Sequence, residues 1–135
     1  MDKAFTVDER TLVAAALDDW ASKTKARFTL QDGACPGEQD GHICLATSET
    51  LGSDIRGMTT GANLYDGGMV RIVVASFRGG TRTAVQLQQT IAHEIGHALG
   101  LPHLRYGTVM WVADAGSSPV VTAYDADAFN ALRAR

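Results

Sequence analysis

The sequence predicts an α+β fold, and three observations carry that reading. Apolar residues follow a helical period near the N-terminus, and short β-branched runs separated by turn dipeptides fill the middle of the chain. The helical period then returns from about residue 83. Helix, strands, helix, loop, helix is the order of a layered α+β domain rather than of an alternating parallel one.

The first helix is expected from Val7 to Ser22. Val13, Ala16, Leu17 and Trp20 recur at i, i+3, i+4 and i+7 and so share one face, which makes Trp20 a core residue. Thr6, followed three residues later by Glu9, fits a capping box. Strand-like runs follow at Phe28–Gln31, Ile43–Thr47, Ile55–Asn63 and Met69–Ser76, punctuated by Asp32-Gly33, Asp40-Gly41 and Asp66-Gly67-Gly68. The last of these turns suits a hairpin, so the final two strands are expected to be antiparallel. Arg78-Gly79-Gly80 closes the sheet region. From Thr83 to Leu99, Leu87, Ile91, Ile95 and Ala98 fall within ~40° of Ile91 on a helical wheel. Gly100 then serves as the C′ residue and Pro102 blocks continuation. Thr122 is a good N-cap for a last helix running through Ala128 and Leu132.

Composition excludes several classes of function. At 135 residues without repeat, low-complexity tract or linker, the chain reads as one domain over 1–135, long enough to bury its own core. Fifteen acidic against twelve basic residues, with no basic block, argue against a nucleic-acid partner. No apolar run is long enough to span a membrane, and Met1-Asp2-Lys3 does not open a signal peptide.

Three of the four histidines fall within eleven residues. His93-Glu94-Ile95-Gly96-His97 places two imidazoles four apart on the predicted helix, displaced by only ~40° and ~6 Å, so both can reach one ion. They lie opposite the apolar stripe, leaving one face for the sheet and one for a cleft. A tetrahedral ion needs a third ligand from another direction. Gly100 can adopt positive φ and turn the chain so that His103 returns toward the pair. With four His, four Glu and 14 Gly in the chain, the five matched positions arise by chance at roughly one start in ten million. Three ligands leave a fourth position open, the mark of a catalytic rather than a structural zinc site.

His93-Glu94-x-x-His97-x-x-Gly100-x-x-His103 resembles the signature of the metzincin zinc peptidases. Tyr106-Gly-Thr-Val-Met110 follows the third histidine at the short distance of matrixin-type members, whose methionine turn lies beneath the metal. The resemblance implies a short twisted mixed sheet with an antiparallel edge strand, packed on two long helices, plus a C-terminal helix opening near Thr122-Ala-Tyr-Asp125. It implies one catalytic zinc held by His93, His97 and His103, Glu94 as general base, and Met110 as an apolar floor. An endopeptidase acting on extended peptide would follow. The edge strand would offer Gly57, Met58, Thr59, Thr60 and Gly61 to substrate main chain, and Trp111 and Val112 would line an apolar primed-side pocket. The alternative is a catalytically inactive zinc-containing module that binds peptide in the same groove. A family first strand has only Asp2 to Thr6 available, and no tyrosine stands two residues after Met110 to add a ligand. The sequence holds no inhibitory propeptide with a zinc-binding cysteine, so a mature or naturally unprotected form is expected.

Cys35 and Cys44 bracket a turn-rich loop of eight residues, a spacing that favours a disulfide and hence a secreted, extracellular or periplasmic protein. The rival is a pair of reduced thiols in a cytoplasmic enzyme. A second zinc site from His42 and these cysteines lacks a fourth ligand. Structural calcium at Asp40-Gly41 or Asp66-Gly67-Gly68 is not indicated, because no run of spaced carboxylates accompanies them. The expected partners are a peptide or protein substrate, with the chain itself a monomer.

Overall fold

The computed structural model describes residues 7–30, 43–48, 57–60, 70–75, 83–113 and 116–134. Along the chain these form α1 (Val7–Lys23), β1 (Ile43–Ser48), β2 (Gly57–Thr60), β3 (Val70–Ala75), α2 (Ala84–Ala98) and α3 (Ala123–Arg133). The class is α+β. The three strands are ordered β1-β3-β2, with β1 parallel and β2 antiparallel to β3. The register pairs Ile43 with Val70 and Thr59 with Ile72. Among the described residues β2 is an edge strand, with one neighbour only.

Helix α2 organises the rest. Among the described residues it packs on β2 and β3 through one flank and on α1 through another, while α1 touches α3. The reason lies in the apolar stripe: Leu87, Ile91, Ile95 and Ala98 are all fully buried, alongside Val13, Ala16 and Trp20 from α1 and Phe129 from α3. Each large side chain removed from water contributes about 1.5–3 kcal/mol, so this cluster supplies the main cohesion of the fold. The buried Trp20 ring also needs a partner for its indole N–H, which donates to the Ala92 carbonyl at 2.9 Å and fixes the α1–α2 register.

The helix ends use local chemistry. Thr83 caps α2 in a capping box with Gln86, and Thr122 caps α3 in one with Asp125. Past α1 the chain departs from expectation, because residues 26–30 form no strand. There the Thr24 hydroxyl donates to the Trp20 carbonyl and accepts from the Ala26 N–H, and Arg27 donates to the Ala21, Thr24 and Ala26 carbonyls. The backbone groups these side chains serve are those of Trp20, Ala21, Thr24 and Ala26, so they close the end of α1 ahead of the expected strand. Gln31, the Thr6 half of the predicted α1 cap, the stretch Asp2 to Thr6 and the four predicted glycine turns lie outside the described residues.

A polar clasp ties α1 to the segment entering α3. Asp19 accepts the Val121 N–H at 2.7 Å, Lys23 donates to the Val121 carbonyl at 2.7 Å, and the two side chains pair at 2.7 Å. Both backbone groups of one residue are therefore held by a charged pair from a distant helix. Asp19→Ala is expected to lower stability in urea unfolding by about 1–3 kcal/mol, the range for a charge-assisted hydrogen bond whose donor loses its partner.

Candidate metal centre

His93 and His97 project from α2 on the side away from its apolar stripe. Each ring is oriented by a carbonyl: Nδ1 of His93 donates to Val109 O and Nδ1 of His97 to Leu101 O, both at 2.8 Å. With the ring proton on Nδ1, both Nε2 atoms present lone pairs, and these face each other at 3.1 Å. Two lone pairs at that distance repel unless a cation sits against both. A tetrahedral zinc with Zn–N bonds of about 2.0–2.1 Å sets its ligand atoms about 3.3 Å apart, close to what is observed.

The third histidine arrives by a turn. Leu99 caps α2, and Gly100 adopts φ 97°. The Gly100 N–H then bonds the His97 carbonyl at 2.9 Å and the Leu101 N–H bonds the Gly96 carbonyl at 3.0 Å. These are the two hydrogen bonds of a Schellman motif, which reverses the chain within three residues and favours glycine at the left-handed position. The reversal brings the His103 ring to 5.2 Å from His93 and 4.9 Å from His97, centroid to centroid. One potential ligand atom from each of the three histidines lies within 4.8 Å of the others. Three imidazoles converging from a helix and a loop fit a zinc ion.

Beneath them lies the tight turn at 108–111. The Thr108 N–H bonds the Arg105 carbonyl at 3.2 Å, and the Leu104 N–H bonds the Met110 carbonyl at 2.9 Å. Met110 is fully buried. Its sulfur rests against α2 at Gly96, where an added Cβ would overlap Met110 Sδ and stand 3.0 Å from Trp20 Cζ2. A mid-helix glycine costs roughly 1 kcal/mol relative to alanine, and close approach of the methionine is its structural reason here.

The turn is held from the other side by the buried carboxylate of Asp125. Oδ2 accepts the Val109 N–H at 2.9 Å and Oδ1 the Met110 N–H at 3.3 Å. Oδ2 also accepts the Thr122 N–H at 2.9 Å and the Thr122 hydroxyl at 2.7 Å. One side chain therefore caps α3 and fixes the residue whose carbonyl orients His93.

Burial pulls the His93 imidazole down to about 4 from 6.5, opposed by its bond to Val109, so the ring is neutral and ligand-competent at pH 7. His103 is also lowered, first by desolvation and then by His97. Glu94 is buried, and desolvation raises its carboxyl above the usual range against the opposing pull of the Thr59 hydroxyl and His97. The Thr59 hydroxyl hydrogen-bonds Oε2 of that carboxylate and lies 3.1 Å from the Glu94 carbonyl oxygen.

With this geometry in view, comparison with known proteins is decisive about ancestry. The matrixin model of the M10 peptidases matches residues 2–128. The chain belongs to the matrixin family. No curated protein matches it. Of the residues singled out in the sequence, His93, His97 and His103 are brought together, with Glu94 on the same helix and Met110 directly below Gly96. Gly57, Met58, Thr59 and Thr60 form the edge strand β2, whereas Gly61 lies outside the described residues. Trp111 is half-buried with its ring 5.8 Å from that of Tyr106, and Val112 is exposed. Cys44 is disulfide-bonded, which removes it as a thiolate ligand, and Cys35 and His42 lie outside the described residues. Sequence reasoning did not assign roles to Gly96, to Asp125 or to the Thr59–Glu94 contact. Glycine in mid-helix and the T-x-x-D pattern at Thr122 were the available signals for the first two, and nothing local marks the third.

Two outcomes follow for this site. Asp125→Ala leaves three backbone N–H groups without their acceptor, so a loss of at least about 3 kcal/mol in urea unfolding is expected. Zinc affinity, measured by chelator competition, should fall about 10–100-fold as the support of His93 loosens. The second outcome concerns pH. The depressed His93 value means that the unfolded chain takes up its proton first as pH falls. Its contribution to stability is complete above 6.5 and is lost as pH falls from 6.5 through about 4. Urea titrations of metal-stripped wild-type and His93→Asn protein isolate this: their stability difference should change with a limiting slope of about 1.4 kcal/mol per pH unit across that window, to the detriment of wild type.

Proposed function

We propose that this matrixin is a zinc endopeptidase that hydrolyses peptide bonds with Glu94 as general base. The observation that carries the reading is a buried carboxylate on the same helix as the converging histidines, one residue beyond His93. His93, His97 and His103 would hold the ion through nitrogen, leaving the fourth coordination position to the reaction. Bound zinc supplies Lewis acidity there, toward the attacking water and the scissile carbonyl.

The chain's own groups do the rest. Glu94 accepts the proton of the attacking water and passes it to the nitrogen of the leaving amine. Its raised affinity for a proton suits both halves of that transfer, because the acceptor must hold the proton briefly before giving it up. Among the described residues β2 has a neighbour on one side only, which supports binding of an extended substrate by main-chain hydrogen bonds from Gly57, Met58, Thr59, Thr60 and Gly61. Trp111 and Val112, following the methionine turn, would receive an apolar side chain on the primed side. A Cys35–Cys44 disulfide fits an exported protein, secreted or periplasmic, acting as a monomer. Among the described residues no helix is long and apolar enough to cross a membrane.

Glu94→Gln tests the assignment. The variant should keep about one zinc per chain yet lose activity on a broad peptide library by about 10²–10⁴-fold, the range of general-base catalysis. Zinc-loaded wild-type protein that binds peptides from that library but cuts none would replace the enzyme with a peptide-binding module of the same fold.

A further inference from the structure

We infer that Thr59 is a positioning residue for the Glu94 carboxylate, so that the edge strand aims the general base. The inference rests on the endopeptidase reading for its kinetic meaning, but the contact itself is geometric. β2 lies against α2, and Thr59, paired with Ile72 across the antiparallel ladder, is where the strand touches the helix at Glu94. Its hydroxyl stands between two acceptors, the Glu94 carbonyl at 3.1 Å and carboxylate oxygen Oε2. A hydroxyl has one proton to donate, and an ionised carboxylate is the stronger acceptor. The proton therefore goes to Oε2.

This has a directional consequence. Glutamate has three rotatable side-chain torsions, whereas a β-branched threonine on a strand is restricted at its single χ1. The stiffer group thus fixes the more flexible one. With Oε2 engaged, Oε1 is the oxygen left to accept a proton from water. Among the described residues no other side-chain donor to the Glu94 carboxylate is found. The Thr59 hydroxyl is thereby committed to Glu94 rather than to a substrate side chain. The strand proposed to carry the substrate backbone and the strand that orients the base are the same four residues.

A purely architectural role, in which the hydroxyl bridges β2 to α2 through the Glu94 carbonyl, is the rival. Thr59→Val keeps the shape and removes the donor, and Thr59→Ser keeps the donor. In the zinc-loaded protein Thr59→Val is expected to lower kcat about 10–100-fold, with KM within about two-fold and zinc content unchanged. Thr59→Ser should recover most of that loss. Crystal structures give a readout independent of turnover: the Glu94 carboxylate should hold one orientation in wild-type and Thr59→Ser protein and spread over several in Thr59→Val. Unchanged kcat, an equal loss in both variants, a change confined to KM, or a Glu94 carboxylate equally fixed in Thr59→Val would each overturn the inference. Should Thr59→Val fail to fold, Thr59→Ala takes its place with the same readouts. If wild-type protein cuts nothing, the endopeptidase reading fails alone, and the crystallographic comparison still decides the role of Thr59.

Discussion

Two imidazole lone pairs facing each other at 3.1 Å repel, and much of the surrounding structure serves to hold them there and to bring a third histidine alongside. The Nε2 atoms of His93 and His97 stand 3.1 Å apart because each ring is pinned by its other nitrogen to a carbonyl. Neither carbonyl lies in the regular part of α2. Leu101 follows the Schellman turn, and Val109 belongs to the turn that carries Met110. The helix sets the spacing of two ligands, but the chain after the helix sets their orientation and brings the third. Repulsion of this kind is relieved by a cation, so part of the free energy of metal binding offsets a cost already present in the folded chain.

Support for that arrangement passes outward in layers. The Val109 carbonyl that orients His93 is fixed by its own N–H, held on Asp125 at the start of α3. The same turn buries Met110 against Gly96, and Trp20 of α1 completes the contact from the far side. Trp20 in turn donates to Ala92, one residue before the first histidine. α1 directly, and α3 through the turn that carries Met110, thus bear on the short segment of α2 that carries His93 and His97. Methionine suits this position because it is unbranched and apolar and can follow the contour left by a missing Cβ. Met110 is fully buried, and desolvation is the first cause of the lowered affinity of His93 for a proton.

The features legible in the sequence were those with a local period or a local motif. Leu87, Ile91, Ile95 and Ala98 announced the buried face of α2 through spacing alone, and all four are fully buried. Gly100 and Pro102 marked the helix end because left-handed backbone and a missing N–H are properties of single residues. The Phe28–Gln31 run was the exception: residues 28–30 form no strand, because a short apolar-polar alternation fits a strand only where tertiary context supplies a neighbour to pair with. Asp125 stood in the opening of the last helix without a role of its own, since the Val109 and Met110 N–H groups it serves lie 16 and 15 residues away. Contacts of that range have no signature in one sequence. The same holds for Thr59 and Glu94, 35 residues apart.

This division between local and remote contacts separates two properties of the site. The hydrogen bonds that orient His93 and His97, the turn to His103 and the Asp125 clasp all fall within residues 93–125, and they involve no strand. The orientation of Glu94, by contrast, comes from β2. Ligand geometry is therefore set by a short, nearly self-contained stretch of helix, turn and cap, while the aim of the base depends on how the sheet docks on α2. On the proposed reading, small shifts of β2, such as those caused by an extended peptide pairing with the side that has no neighbour among the described residues, would reach the carboxylate through Thr59. On that reading, a strand that would receive substrate backbone and hold the proposed base can couple occupancy of the groove to the position of Glu94. The ion's ligands need take no part in that coupling, because they are fixed by a different part of the chain.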